Sequence, residues 1–163
     1  MSEQSAKFKK GMALLTKMGR KDTMLFQKKH YPELYELSVS HLFGDIWHRP
    51  HLSLRDRQLI TLASNISMAR PTGTHSHFRS AQEIGVSKEE IMELIIHVGA
   101  YTGWPTMAHA LYQFNEVCEE DAAKARKTKA KKAKKTKNAT TKKATVKKEK
   151  LKKAPAKKSR KKK

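Results

Sequence analysis

The sequence predicts an all-α fold, a single helical domain followed by a disordered basic tail. Three observations predict it. Apolar residues recur at helical spacing as far as Cys118, and no stretch shows the period-two alternation of a half-buried strand. Two capping boxes, at Ser53-x-x-Asp56 and Ser87-x-x-Glu90, mark helix starts. Charge divides the chain sharply: residues 124–163 hold 22 of the 36 Lys and Arg and one acid, Glu149, and so carry the whole net charge of +21. Residues 1–123 carry 14 bases and 14 acids and sum to zero. A neutral segment of that size suits one domain with one core.

A first helix, from Ser2 to Met18, places Phe8, Met12, Leu15 and Met18 on one stripe and ends at Gly19. A second, from Pro32 to Phe43, carries Leu34, Leu37, Val39, Leu42 and Phe43 and stops at Gly44. Residues 44–52, with one Gly, one Pro and no period, read as a loop. The helix after Ser53 is apolar over so much of its surface, through Leu59, Ile60, Leu62, Ala63, Ile66 and Ala69, that it is expected to be central. Arg70-Pro71-Thr72-Gly73 breaks it. A helix from Thr74 to Ile84 ends at Gly85, a left-handed stop. The next carries Ile91, Leu94, Ile95 and Val98 on one stripe, and Gly103-Trp104-Pro105 turns the chain into a last helix with Ala108, Leu111, Tyr112 and Cys118.

Composition removes several function classes. The lone cysteine, Cys118, excludes an intramolecular disulfide, a Cys-x-x-Cys redox pair and a Cys-rich zinc site, and is expected as a buried small hydrophobe. His75 and His77, two apart, point to different sides of a helix, and His48 and His51 lie in the loop, so no metal is expected. The chain has no His-Glu-x-x-His, Gly-x-Ser-x-Gly or phosphate-cradling glycine loop. With no apolar leader at the start and no run long enough to span a bilayer, a soluble cytoplasmic protein is expected, nucleoid-associated if bacterial.

The string from Gly44 to Ala63, Gly-Asp-Ile-Trp-His-Arg-Pro-His-Leu-Ser-Leu-Arg-Asp-Arg-Gln-Leu-Ile-Thr-Leu-Ala, resembles the signature of the carboxymuconolactone decarboxylase family. Arg70-Pro71, Ser76-His77-Phe78-Arg79-Ser80-Ala81, Gly85-Val86-Ser87-Lys88-Glu89-Glu90-Ile91 and Tyr101-Thr102-Gly103-Trp104-Pro105 continue it in order, over about residues 20–118. The resemblance implies the family's alkyl hydroperoxidase D-like helical fold and a homo-oligomer, from dimer to hexamer. It also separates two chemistries. The peroxidase branch relays through a glutamate, two cysteines and a histidine. Here those positions hold Gln58, Arg70, Gly73 and His77, so thiol-dependent peroxide reduction is not expected.

The decarboxylase branch needs no cofactor, because its conjugated lactone substrate takes up the electrons that carbon dioxide leaves behind. The protein then supplies a cation for the remaining carboxylate, donors for the developing oxyanion and an acid for the carbon. His77 is the expected acid and Arg49, in the Trp47-x-Arg49-Pro50 loop, the expected anion clamp; Trp47, Arg57 and Arg79 are the expected substrate-binding residues. Trp104 reads as a core or subunit-contact residue. Thr72-Gly73-Thr74 departs from the acidic residues usual after the Arg-Pro pair, so the loop beside the expected site lacks their charge.

The tail is a Lys/Ala/Thr polymer whose only bulky aliphatics are Val146 and Leu151. It resembles the tails of linker histones. A charge-dense chain of this kind binds polyanions by releasing counterions, with little sequence preference. Lys131, Lys132, Lys134, Lys135, Lys147, Lys148, Lys152, Lys153, Lys157 and Lys158 form its densest clusters and are the expected nucleic-acid contacts. No apolar face or lipidation motif accompanies them, so a membrane is not the expected partner. A second reading makes the folded domain an inactive oligomeric hub that presents several basic tails to DNA.

Overall fold

A computed structural model describes the backbone of residues 3–71 and 73–152, and side chains as far as Lys131 apart from those of Thr72 and Ala130. Among the described residues there is no β-strand, and no helix is long and apolar enough to cross a membrane. The fold is all-α. It divides into two units, residues 1–118 and 119–163.

Helix α1 (Glu3–Lys17) ends before Gly19, whose φ of +64° is left-handed. Two short helices follow, α2 (Leu25–His30) and α3 (Pro32–Leu37), the latter opened by Pro32 at its first turn, where a missing N–H costs nothing. The chain then winds into a π-helical turn, Ser38–Phe43, rather than continuing α3 as one regular helix. Gly44 ends this turn in a right-handed conformation, φ −87°, so it is not a left-handed stop. Space requires the glycine instead. A Cβ on Gly44 would collide with the carbonyl oxygens of Lys7 and Ser40, and one on Gly11 with the carbonyl of Val39. The two glycines let α1 lie directly on the π-turn, the packing that holds the N-terminal part of the domain together. Gly44→Ala is expected to lower stability by about 3 kcal/mol or more, since backbone rather than a movable side chain must yield. Chemical denaturation checks this, with a loss under 1 kcal/mol contradicting the packing argument.

Both capping boxes form. Ser53 starts α4 (Leu54–Ser67) with Asp56, and Ser87 starts α6 (Lys88–Thr102) with Glu90. Arg55 bonds to Glu90, joining the start of α4 to that of α6. Between them α5 (Thr74–Glu83) is bounded by Gly73 and Gly85, with φ of +88° and +92°. Gly103, φ +98°, opens α7 (Trp104–Lys152).

Two apolar clusters result. One joins Leu62 and Ile66 of α4, Phe78 and Ala81 of α5, Ile91 and Ile95 of α6, and Met107, Ala110, Phe114 and Val117 of α7. The other joins Leu14, Leu15, Met18, Met24, Val39 and Phe43. Helix α4 is central, as expected, although its Ile60 faces outward. On α7 the buried stripe runs through Met107, Ala110, Phe114 and Val117, whereas Ala108 and Tyr112 face outward and Leu111 and Cys118 are half-buried at the cluster's edge. Trp104, 80% exposed, is not a core residue, which leaves the contact reading for it.

In the second unit α7 remains helical through Lys152, in a segment expected to lack fixed structure when free. Lysine and alanine favour helix intrinsically, and Lys124 pairs with Glu120 and Asp121. Every described side chain from Ala122 onward is exposed. Lys131 is one of these, whereas the side chains of Lys132, Lys134, Lys135, Lys147, Lys148, Lys152, Lys153, Lys157 and Lys158 lie outside the described ones.

Candidate active site

The seam between the two clusters holds a cavity of about 300 Å³. Arg20, Met24, Ser38, Leu42, Phe43 and Trp47 line it from the N-terminal cluster, Thr61 and His77 from the other. Local structure explains how each arrives there. The left-handed Gly19 swings Arg20 off the end of α1. The π-turn sets Ser38, Leu42 and Phe43 on one wall, an irregularity frequent at functional sites. A 3-10 turn, Ile46–His48, is closed by His48 Nδ1–H donating to the Phe43 carbonyl at 2.9 Å, which holds Trp47 beside Phe43 with ring centroids 5.8 Å apart. The Thr61 hydroxyl donates to the Arg57 carbonyl, 2.8 Å away, within α4.

His77 is the centre of the polar network. Gln58, fully buried on α4, donates through Nε2 to the His77 carbonyl at 2.7 Å and lies 3.3 Å from His77 Nδ1. Nδ1 therefore faces a neutral amide N–H. Arg20 Nη1 lies 2.9 Å from Nε2 and 3.2 Å from Nδ1, so the guanidinium rests against both ring nitrogens. It also stands 5.5 Å from the centroid of Phe43. Among the described residues no carboxylate pairs with Arg20, and its Nε is buried without a hydrogen-bond partner.

The electrostatics follow from that arrangement. Burial first, and then the Arg20 charge, push the His77 imidazole from its ordinary 6.5 down to about 3. Burial alone pushes Arg20 down to about 10. At neutral pH the cavity therefore holds a full positive charge on Arg20 and a neutral His77.

The other expected site residues are dispersed. Trp47 lines the cavity with His77, but Arg49 is exposed on its loop and does not. Arg57 Nη2 donates to the carbonyls of Arg49 at 2.6 Å and Pro50 at 3.4 Å, so it holds the loop in shape. Arg79, half-buried on α5, does not line the cavity either. His75 turns away and meets Glu116 of α7 at 2.8 Å, as the i, i+2 spacing requires. The cation that does reach the cavity, Arg20, has no motif around it in the sequence.

Comparison with known proteins places the sequence in a family. The sequence profile of the carboxymuconolactone decarboxylase family matches residues 32–116. The chain belongs to that family. It is 33% identical over 78 residues to the 4-carboxymuconolactone decarboxylase of Acinetobacter baylyi, covering 48% of this chain and 58% of the relative. It is also 33% identical over 76 residues to the nitrosuccinic acid decarboxylase of Metarhizium robertsii, covering 47% of this chain and 53% of the relative. The chain thus spans between half and three-fifths of the length of these relatives. Six of the eight cavity-lining residues lie within the matched region, whereas Arg20 and Met24 precede it.

Proposed function

We propose that this protein is a decarboxylase-like enzyme acting without a cofactor on a small carboxylated lactone or related acid. The observation that carries the reading is His77 held neutral in the wall of a small, mainly apolar cavity beside a cation that no carboxylate among the described residues neutralises. The names of both relatives, each a decarboxylase of a small acid, support the same class of reaction.

Decarboxylation breaks one carbon–carbon bond. Its electron pair passes into the conjugated carbonyl, carbon dioxide leaves, and a proton must reach the carbon. Apolar walls from Met24, Leu42, Phe43 and Trp47 exclude water from the developing charge, and Arg20 stabilises the oxyanion. The neutral His77 is too weak an acid to protonate carbon. An anion seated beside Arg20 and His77 offsets the Arg20 charge, the smaller cause of that low pKa, and its own negative charge favours the proton that His77 delivers. His77 therefore acts through a pKa set by its surroundings and not through its ordinary value.

Carbon dioxide release from 4-carboxymuconolactone and from nitrosuccinic acid, measured with the full chain, tests the reading. Release that His77→Ala removes is expected. Release from neither acid, with DNA binding intact, would favour the inactive oligomeric hub.

The basic segment adds nucleic-acid binding to this proposal, supported by its charge of +21 and by the exposure of its described side chains. Double-stranded DNA is expected to bind with weak sequence preference and an affinity that falls steeply with salt. Deleting residues 124–163 should abolish binding, since the remainder has no net charge. A mobility-shift titration at two salt concentrations checks this; undiminished binding by the truncated chain would move the nucleic-acid site into the folded domain.

A further inference from the structure

We propose that a second copy of this chain docks on the face formed by α2 and α3 and closes the mouth of the cavity. Leu25 and Phe26 of α2, Tyr31 between the helices, Leu34 and Leu37 of α3 and Leu42 of the π-turn are each 42–64% exposed. They form one strip. The Phe26 and Tyr31 ring centroids lie 6.1 Å apart, which joins α2 to α3. Leu34, Leu37 and Leu42 follow on successive turns of α3 and the π-turn. About 600 Å² of apolar surface is bare here, the upper end of what a monomer leaves uncovered. With its flanking charges the strip approaches the roughly 800 Å² that each partner of a stable dimer covers. A hollow of about 350 Å³ bounded by His30, Tyr31 and Leu34 has room for a large apolar side chain of the other copy.

Charge selects the partner. Lys28 and Lys29 are exposed on α2, Glu33 and Glu36 on α3, and none of the four forms an ion pair among the described residues. A two-fold axis through the strip lays α2 of one copy beside α3 of its partner, so each pair of lysines meets a pair of glutamates. The face is complementary to itself. An anionic lipid surface would instead meet Glu33 and Glu36 as like charges, which makes it the poorer occupant. The same face reaches the cavity. Leu42 belongs to both, and the lining residues Met24 and Ser38 adjoin Leu25 and Leu37 in the chain. A copy seated on the strip covers the opening beside Leu42 and completes the apolar wall that keeps water from Arg20 and His77. The family resemblance implies a homo-oligomer but no face for it. Leu25, Phe26, Lys28, Lys29 and Tyr31 all precede the matched residues 32–116.

Only the benefit of closure to turnover rests on the decarboxylase reading; association and closure are measured without substrate. Sedimentation equilibrium of the full chain is expected to show a dimer or a multiple of it. Lys28→Glu with Lys29→Glu, and separately Glu33→Lys with Glu36→Lys, should each weaken dimerisation at least about tenfold, because like charges then meet across the axis. A chain carrying all four substitutions should regain it, since the pairs are inverted rather than lost, and that rescue separates a broken interface from a broken fold. Closure is read in a Trp104→Phe background, where Trp47 is the remaining tryptophan. Acrylamide should quench Trp47 more strongly in the two dissociating variants than in the parent or the four-substitution chain. A monomeric parent, an assembly whose mass neither pair of substitutions lowers, dissociation that the four substitutions do not reverse, or equal quenching in all forms would overturn the proposal. Phosphatidylcholine vesicles, which carry no net charge to attract the basic segment, supply the last arm: binding that Phe26→Ser removes would assign the face to a lipid surface instead. A dimer that shields Trp47 without carbon dioxide release from any acid would leave the interface standing and remove the decarboxylase reading.

Discussion

His77→Ala is expected to lower turnover at least about a hundredfold, the usual size of a lost general acid, while His75→Ala changes it less than about threefold. The two residues sit on the same short helix, α5, yet face different partners. His75 is bonded to Glu116, whereas His77 is in the cavity wall with Arg20 and Gln58 around it. Deleting the His77 ring removes the donor at the cavity and also leaves Gln58 Nε2 with only the backbone carbonyl as acceptor. The comparison of kcat for the two variants, on whichever acid is turned over, separates a chemical role from a merely local one. Equal and small effects would exclude His77 as the proton donor.

Arg20→Met is expected to do two things at once: reduce kcat/KM about a hundredfold and raise the melting temperature. The activity loss follows from removing the one charged donor in the cavity. The stability gain follows from the cost of burying a cation that has no acid partner among the described residues. Replacing such a charge by an apolar side chain of similar size is commonly stabilising by about 1–3 kcal/mol. The lost contact between the guanidinium and Phe43 offsets only about 0.5–1 kcal/mol of that. Opposite signs for activity and stability mark a residue retained for function. Thermal unfolding and steady-state kinetics on the same preparation check both, and a variant that loses stability along with activity would make Arg20 a structural residue.

How far these features were legible in the sequence depends on whether a local signal existed. The starts of α4 and α6 were readable because a serine followed three residues later by an acid satisfies orphan amides through contacts confined to one turn. The stops at Gly19, Gly85 and Gly103 were readable for the same reason, as all three adopt positive φ. Gly44 looked like another stop and is something different, a point of close approach between α1 and the π-turn, which depends on residues more than thirty positions away and leaves no local mark. The buried face of α7 was ambiguous because two stripes of this helix are apolar and only packing decides between them. His77 and Trp47 were legible through the motifs that carry them. Arg20 was not: an arginine after Gly19 and before Lys21 reads as one more surface base, and its burial is a product of the seam between two clusters. Arg49 drew attention through its motif, but the motif fixes the loop, with the Arg49 side chain outside the cavity.

The account turns on one physical state, a neutral His77 pressed against a cationic Arg20, and a ¹⁵N titration of the His77 ring in the full chain measures that state directly. A histidine held at about 3 in the fold and near 6.5 when unfolded binds its proton first in the unfolded chain. The fold therefore loses stability as pH falls from about 6.5 toward 3, and this His77 contribution is absent above that window. The predicted result is a ring that stays neutral from pH 8 down to at least pH 4.5, together with a Tm in His77→Gln that falls less over the same range than in the parent protein. A ring that titrates near 6.5, with no change when Arg20 is replaced by methionine, would contradict the account.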